Sequence, residues 1–237
     1  MSTDYSKEAA ESAGTGAGSL TGSRRILIMT AVDAERDAVV RGLRGNPRFD
    51  VRSAGVGPVE AAVTTATLLA TANEAYDLVV CAGIAGGFKG QAEIGSLVVA
   101  SEIVAADLGA QTPDGFLSLD ELGFGSSRIA AATELVEPVT SALRSAGLQA
   151  VSAPVLTLST VTGTAESAEE LASRIPGAAA EGMEGFGIAA AAHKVGIPVL
   201  EIRSISNAVG PRDKAAWRIG DALQSLEAAS TVLMEVL

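Results

Sequence analysis

Two polar side chains, Glu184 and Asn207, have the chemistry to hold two parts of one small molecule. Glu184 follows Met183 at the start of a predicted helix of small residues, and Asn207 comes at the end of the strand predicted after that helix. A carboxylate accepts hydrogen bonds from sugar hydroxyls, whereas an amide both donates to and accepts from the edge of a purine. The two residues therefore suit a nucleoside, and an amide at position 207 would select a different base from a carboxylate.

Glu35 is a third candidate, because it stands two residues after Asp33, the predicted cap of the first helix. Each of the three side chains also has a plainer interpretation. The helix dipole favours a carboxylate in the first turn, which applies to both Glu35 and Glu184, and Asn207 is suited to cap a following turn. Their joint occurrence at strand ends favours a functional site more than any one of them does.

Runs of apolar residues and turn signals predict the elements that must position these side chains. The run over residues 77–82 is typical of a strand buried on both faces, and it ends in Gly83–Gly87. Residues 107–125 are predicted to be irregular. The predicted strands are 25–31, 49–54, 77–82, 95–104, 149–159, 178–182 and 198–206, and the predicted helices are 33–43, 58–72, 129–147, 166–174, 184–194 and 213–237.

Strands and helices alternate almost throughout, which predicts a single-domain, three-layer α/β/α fold with a mixed central sheet. We expect this domain to span residues 24–237, after a disordered tail over residues 1–23. In such sheets ligands bind at the carboxyl ends of strands. Glycines, hydroxyls and three acids gather at those ends, in segments 33–35, 55–57, 83–87, 159–164, 182–184 and 206–207.

Composition excludes several kinds of partner and cofactor. The 237 residues carry a net charge of −11, so DNA or an anionic membrane would be repelled. No apolar run approaches the ~20 residues that cross a bilayer. One cysteine, Cys81, is expected to be a buried apolar residue in a reducing cytoplasm, and one histidine with one cysteine does not make a usual zinc site. We therefore expect a cytoplasmic protein without a metal or other cofactor.

At five places the residues resemble the purine-nucleoside and uridine phosphorylase family, especially its hydrolytic branch, the methylthioadenosine/S-adenosylhomocysteine nucleosidases. The resemblance spans residues 25–237, and its marks are segments 30–35, 53–62, 82–87, 183–184 and 203–207. The stretch 206–213 with Trp217 is similar to the ending of a subgroup that hydrolyses futalosine in menaquinone biosynthesis. The resemblance implies a nucleoside phosphorylase-like fold and a homodimer or larger homo-oligomer.

The resemblance also implies a role for individual residues. Glu35 would activate the attacking water, Glu184 would hold the ribose hydroxyls with Met183 against the sugar, and Asn207 would contact the leaving purine. Further contacts with the base or the nucleophile would come from Ile84, Ala85, Gly86, Val161, Thr162 and Ser206.

Three positions depart from the adenine-cleaving enzymes that the chain resembles. Asn207 replaces an aspartate, and its NH₂ and C=O groups suit O6 and a ring N–H of hypoxanthine. The resulting expectation is cleavage of a 6-oxopurine nucleoside such as futalosine or inosine, with release of hypoxanthine. Gly182 replaces a glutamate, which puts a contact from this position to ribose or water in question, and Val161 replaces an aromatic residue, so stacking on the base should be weaker or supplied differently.

Three other functions remain open at this point. An adenine-releasing nucleosidase, acting on methylthioadenosine, S-adenosylhomocysteine or aminodeoxyfutalosine, would use the same carboxylates. A purine nucleoside phosphorylase would need arginines at strand ends, which residues 56–57 and 77–82 lack. A non-catalytic nucleoside-binding protein would have no need of Glu35 and Glu184 together.

Arg212 and Trp217 lead to a separate hypothesis. Futalosine carries a benzoate-bearing chain on its 5′ side, which an arginine could pair with and a tryptophan could pack on. The alternative is a surface cluster of Arg212 with Asp213, and a tryptophan that anchors the closing helix.

Overall fold

The computed structural model describes residues 24–237, so the predicted tail over residues 1–23 lies outside the described residues. The strands are β1 (Ile26–Thr30), β2 (Phe49–Ser53), β3 (Leu78–Gly87), β4 (Leu97–Ala105), β5 (Gly109–Thr112), β6 (Gly115–Ser118), β7 (Arg128–Ala130), β8 (Ala150–Thr157), β9 (Ala180–Gly182) and β10 (Val199–Ala208). The helices are α1 (Asp33–Leu43), α2 (Pro58–Thr71), α3 (Thr133–Ser145), α4 (Ala165–Arg174), α5 (Gly185–Lys194) and α6 (Ile219–Val236), with a 3₁₀ turn at Lys214–Ala216 before α6.

Eight of the strands form one mixed sheet. Strand β1 pairs in parallel with β2 and β3, while β10 pairs in parallel with β3 and antiparallel with β4. The path continues from β4 through β8 and β9 back to β3, so these five strands close into a ring. The predicted mixed central sheet is confirmed, and its closed part brings the ends of β3, β9 and β10 together.

Helices cover both faces of the sheet, as alternate side chains of β1 show. Ile26 and Ile28 belong to a core shared with α1, α3 and α6, whereas Leu27 and Met29 point into a core shared with α2 and α5. A smaller core lies under α4. The three-layer α/β/α architecture is therefore confirmed.

Strand β3 is longer than predicted, because it does not stop at Gly83. Gly86 pairs with both Glu181 of β9 and Asn207 of β10, so backbone hydrogen bonds on both sides keep the glycines extended. Asn207 consequently lies within β10 rather than at its end. A Cβ atom at Gly87 would lie 2.3 Å from the carbonyl oxygen of Ala92, which explains why this strand end has no side chain there.

Three other predicted elements were wrong in part. The stretch 107–125 contains the β5–β6 hairpin, and residues 128–130 form an edge strand on β4 before α3 begins at Thr133. The closing helix begins at Ile219, and Asp213 instead accepts a hydrogen bond from Ala215 N in the 3₁₀ turn.

The predicted cap of α1 was also wrong. Asp33 is not the cap of α1; its carboxylate accepts from Ser53 Oγ over 2.7 Å, and Val32 occupies the cap position.

Candidate active site

A cavity of about 380 Å³ opens where the carboxyl ends of β1, β3 and β10 meet β9 and the start of α5. All of the predicted site residues except Arg212 line it. The lining consists of Ala31, Val32, Glu35, Val56, Ile84, Ala85, Gly86, Val161, Thr162, Glu181, Gly182, Met183, Glu184, Ser206, Asn207, Val209 and Trp217. The cavity thus brings together segments that are distant in sequence.

Glu35 is held by backbone groups from two elements. It is the third residue of α1, and its Oε2 accepts hydrogen bonds from Ala31 N at 2.8 Å and Val32 N at 3.2 Å. Its Oε1 accepts from Ile84 N of β3 at 2.8 Å. Burial raises the pKa of the Glu35 carboxyl, and the Ile84 hydrogen bond and the nearby Arg203 charge oppose that rise. The side chain does more than satisfy the helix dipole, because one oxygen faces a strand outside its own helix.

Gly83 leaves room for two charged groups to approach β3. A Cβ atom at this position would lie 2.8 Å from Glu35 Oε1 and 2.8 Å from Arg203 Nη1. The next peptide joins the same two groups, because Ile84 N donates to Glu35 while Ile84 O accepts from Arg203 Nη1 at 3.3 Å. The absence of a side chain at Gly83 therefore permits Glu35 and Arg203 to approach the same face of β3.

Glu184 is buried at the cavity wall, with a relative exposure of 4%. Its Oε1 accepts from Gly57 N, the residue before α2, at 3.2 Å, and its Oε2 lies 3.4 Å from both terminal nitrogens of Arg203. These contacts are long for charged groups. The carboxylate is therefore oriented by the protein and keeps the capacity to accept further hydrogen bonds from a ligand.

Arg203 and Glu201 form a buried ion pair behind Glu184. Both side chains are on β10, two residues apart and so on the same face, and Arg203 Nε donates to Glu201 Oε1 at 2.8 Å. Arg203 Nη2 also lies 3.3 Å from the Sγ atom of Cys81 on β3. Burial raises the pKa of the Cys81 thiol well above its usual range, although the Arg203 charge opposes this rise. The thiol is therefore neutral, as expected of a buried cysteine.

Asn207 has one hydrogen bond on each end of its amide. Its Nδ2 donates to Ala208 O at 2.9 Å, and its Oδ1 lies 2.8 Å from the hydroxyl of Ser206. An NH₂ group has two hydrogens and a carbonyl oxygen two lone pairs, so one donor and one acceptor remain for a ligand. The half-buried amide is therefore not merely a turn cap, and Ser206 helps to fix its orientation.

Thr162 is positioned by a buried acid that sequence reasoning missed. Glu181 Oε1 accepts from Thr162 N at 2.8 Å, and Glu181 Oε2 accepts from the Thr162 hydroxyl. Burial raises the pKa of Glu181, and the Thr162 hydrogen bonds oppose the rise. This arrangement holds residues 161–162 against the cavity, where Val161 presents an aliphatic surface.

Trp217 lines the cavity but Arg212 does not. Trp217 is half-buried just after the 3₁₀ turn, and the exposed guanidinium carbon of Arg212 lies 5.6 Å from the centroid of its ring. Arg212 therefore lies beside a residue of the cavity wall without lining the cavity itself. Asp213 binds Ala215 N rather than Arg212, so the surface ion pair considered above is not formed.

The missed residues, Glu181, Glu201 and Arg203, have a signal in the sequence. Each is a charged residue within a strand whose neighbours are mostly apolar or small, so that burial of a charge could have been inferred from the sequence. The structure also explains Gly182, since a Cβ atom there would lie 2.9 Å from Arg203 Cζ. Within residues 24–237, no group of three or more His, Cys, Asp or Glu side chains is arranged to hold a metal ion.

The profile of the phosphorylase superfamily matches residues 26–237. A futalosine hydrolase of Streptomyces coelicolor is 50% identical over 232 residues, which is 90% of this chain and 96% of that protein.

Two solved structures are similar in fold. A futalosine hydrolase of Helicobacter pylori superposes with a TM-score of 0.78 at 18% identity, over 90% of this chain and 98% of that one. A methylthioadenosine/S-adenosylhomocysteine nucleosidase of Neisseria meningitidis, in complex with methylthio-immucillin-A, superposes with a TM-score of 0.73 at 19% identity, over 89% and 98% of the two chains.

Proposed function

Because this chain belongs to the phosphorylase superfamily, we propose that it hydrolyses the N-glycosidic bond of futalosine. The products are hypoxanthine and dehypoxanthine futalosine, and the reaction belongs to menaquinone biosynthesis. The 50% identity to a futalosine hydrolase over almost the whole of both chains supports this substrate.

One observation carries the proposal. Glu35, Glu184 and Asn207 come from three separate elements, yet they line the same cavity of about 380 Å³. Two carboxylates and an amide match the three parts of the reaction, which are the nucleophile, the sugar and the departing base. A protein that only stored nucleosides could use Glu184 to hold the sugar, but it would gain nothing from burying Glu35 as well, because burial of charge is costly.

Glu35 acts on the water. The carboxylate accepts a proton from water while the water oxygen bonds to C1′ of the ribose. The C1′–N9 bond breaks at the same stage, and its electron pair leaves with the purine. The purine takes up a proton from solvent to become neutral hypoxanthine, and Glu35 releases to solvent the proton that it took from water. Three backbone N–H groups hold Glu35, so the base is in place before substrate binds.

Glu184 acts on the sugar. It accepts hydrogen bonds from the ribose hydroxyls, and its negative charge favours the oxocarbenium-like transition state that glycosyl hydrolysis passes through. Met183, half-buried beside it, supplies an apolar contact to the ribose.

Asn207 acts on the base. Its free amide hydrogen donates to O6 of hypoxanthine, which stabilises negative charge that arrives on the purine, and its free lone pair accepts from a ring N–H and so orients the base. Val161, Thr162 and the backbone of Ile84, Ala85 and Gly86 enclose the rings. Trp217 packs against the benzoate-bearing chain, with Arg212 behind it for the carboxylate.

Hydrolysis is favoured over phosphorolysis by the charge of the lining. No lysine or arginine is among the described residues that line the cavity, and Arg203 is already paired with two carboxylates. A phosphate ion would therefore meet Glu35 and Glu184 without a cation to neutralise it.

The experiment that separates the two reactions is cleavage of futalosine in H₂¹⁸O, with and without phosphate. Hydrolysis places ¹⁸O on C1′ of the sugar product, and its rate is independent of phosphate. A rate proportional to phosphate, with formation of a ribose 1-phosphate derivative, would contradict the proposed reaction.

The proposal includes a cytoplasmic homodimer or larger homo-oligomer. On α2, close to the cavity, Val59 and Val63 have relative exposures of 74% and 59%, which supports a partner copy over this face. None of the helices in the part of the chain described here is long and apolar enough to span a bilayer. Light scattering after size exclusion measures the mass; a monomer at all concentrations would overturn the oligomer.

A further inference from the structure

The guanidinium of Arg203 is shared unequally between two carboxylates. Its Nε donates to Glu201 Oε1 at 2.8 Å, whereas both terminal nitrogens lie 3.4 Å from Glu184 Oε2. Relative exposures are 0% for Glu201 and 1% for Arg203, so solvent screens neither contact. The contact with Glu201 is the tight one, and the contact with Glu184 is loose.

We infer that Glu201 is a positioning residue, which holds Arg203 back from Glu184 and so leaves the Glu184 carboxylate free for the ribose hydroxyls. The inference rests on the proposed function, since it takes Glu184 as the ribose ligand. Glu201 does not line the cavity and acts only through Arg203.

The physical reason is competition for one cation. A fully buried guanidinium needs an anionic partner, because an uncompensated buried charge is strongly destabilising. If Glu201 loses its charge, the nearest remaining anions are Glu184 and Glu35, and a close bidentate pair with Glu184 becomes favourable. Such a pair would occupy the lone pairs that the ribose hydroxyls require.

Two glycines show that space around this ion pair is kept open. A Cβ atom at Gly185 would lie 2.3 Å from Glu201 Oε1, and one at Gly182 would lie 2.9 Å from Arg203 Cζ. Gly182 and Gly185 flank Met183 and Glu184 in sequence. The segment that carries the ribose ligand is thus shaped to receive the Glu201–Arg203 pair.

Glu201 is also energetically unfavourable as a purely structural residue. Its Oε2 is buried and has no hydrogen-bond partner among residues 24–237, and such groups destabilise a fold. The groups that face it are Arg203 on β10, Cys81 on β3 and Glu184 before α5; burial raises the pKa of Glu201, and the Arg203 charge opposes this rise. An apolar residue of similar size would often stabilise such a site more.

The test is a double-mutant cycle of Glu201→Gln, Arg203→Met and the two together, with kcat and KM measured for futalosine, inosine and methylthioadenosine. Glutamine keeps the size and the acceptor at position 201 but removes the charge. We expect KM to rise about 10- to 100-fold in Glu201→Gln, as for the loss of a hydrogen bond to a charged group, with a smaller change in kcat. In the Arg203→Met background the same substitution should leave KM unchanged.

Two further variants separate positioning from folding. Glu201→Asp keeps the charge and should keep KM close to the parental value. Glu102→Gln removes a carboxylate from an ion pair with Arg128, neither residue of which lines the cavity, and should leave kcat and KM at parental values. A substitution that only weakens folding lowers the melting temperature and the active fraction without changing KM. Should Glu201→Gln fail to fold, Glu201→Asp and Arg203→Met still decide the matter through KM.

Unchanged KM in folded Glu201→Gln, or an equal KM effect with and without Arg203, would overturn the inference while futalosine cleavage stands. If the parent protein cleaves only methylthioadenosine, the proposal that futalosine is the substrate is contradicted instead. The KM values of the double-mutant cycle would then be measured with methylthioadenosine, because its ribose hydroxyls are the same as those of futalosine.

Discussion

Asn207→Asp is expected to weaken release of hypoxanthine and to shift the preference towards adenine. The amide Nδ2 donates to Ala208 O over 2.9 Å. An ionised aspartate would place an oxygen against that carbonyl, so the variant should favour the protonated acid, which has one hydrogen where the amide has two. Either Ala208 O or O6 of hypoxanthine then loses its donor.

The magnitude follows from that lost hydrogen bond. An unpaired buried polar group costs roughly 1–3 kcal/mol, which is about a 5- to 150-fold loss in kcat/KM at 1.36 kcal/mol per tenfold. Adenine has an amino group where hypoxanthine has O6, and it does not need the missing donor. The ratio of hypoxanthine to adenine release should therefore fall by a factor in the same range.

The assay compares inosine with adenosine, and futalosine with aminodeoxyfutalosine, by chromatographic measurement of the free base. Asn73→Asp makes the same chemical change on an exposed residue and should alter neither rate nor ratio. An Asn207→Asp enzyme whose two rates fall together, or whose preference for hypoxanthine is unchanged, would refute the assignment of base selection to this amide.

Three other outcomes are expected. Glu35→Gln should lower kcat about 10²- to 10⁴-fold, because it removes the general base, whereas Glu166→Gln on an exposed residue should have no effect. Equal activity of the parent and Glu35→Gln would indicate a non-catalytic nucleoside-binding protein. Burial raises the pKa of Glu35, and only the ionised carboxylate accepts the proton. Activity should therefore rise with pH, with an apparent pKa above the ordinary glutamate value of ~4.3. An apparent pKa at or below that value would show that Glu35 is not the base. Gly187→Ala should lower the free energy of unfolding in urea by roughly 1–3 kcal/mol, because its Cβ atom would lie 2.0 Å from Pro58 O. The control Gly220→Ala, whose Cβ atom would have nothing within 4 Å, should be neutral or stabilising. Equal stabilities of the two variants would mean that α2 and α5 are not closely packed.

The layers of the fold and the cavity could be predicted because their signals are local. Continuous apolar runs mark strands that are covered on both faces, and Glu35, Glu184 and Asn207 each follow or end such a run. The fold rule that ligands bind at the carboxyl ends of strands was then enough to bring them together.

The rest depends on pairing between distant strands, which a local pattern does not contain. Gly83–Gly87 has the composition of a turn, and only its hydrogen bonds to β9 and β10 keep it extended. The cap of α1 was assigned to Asp33 by residue type, whereas Ser53 on a neighbouring strand binds that carboxylate instead. Arg203 and Glu201 pair with each other on β10, but the contacts of Arg203 with Cys81 on β3 and with Glu184 before α5 join distant parts of the chain.

The most direct test of the proposed function is the base that appears when purified protein is incubated, without phosphate, with futalosine, inosine and methylthioadenosine in parallel. The arrangement of Glu35, Glu184 and Asn207 predicts hypoxanthine from futalosine, with the highest kcat/KM of the three and little adenine from methylthioadenosine. Faster release of adenine from methylthioadenosine, or no release of hypoxanthine until phosphate is added, would contradict it.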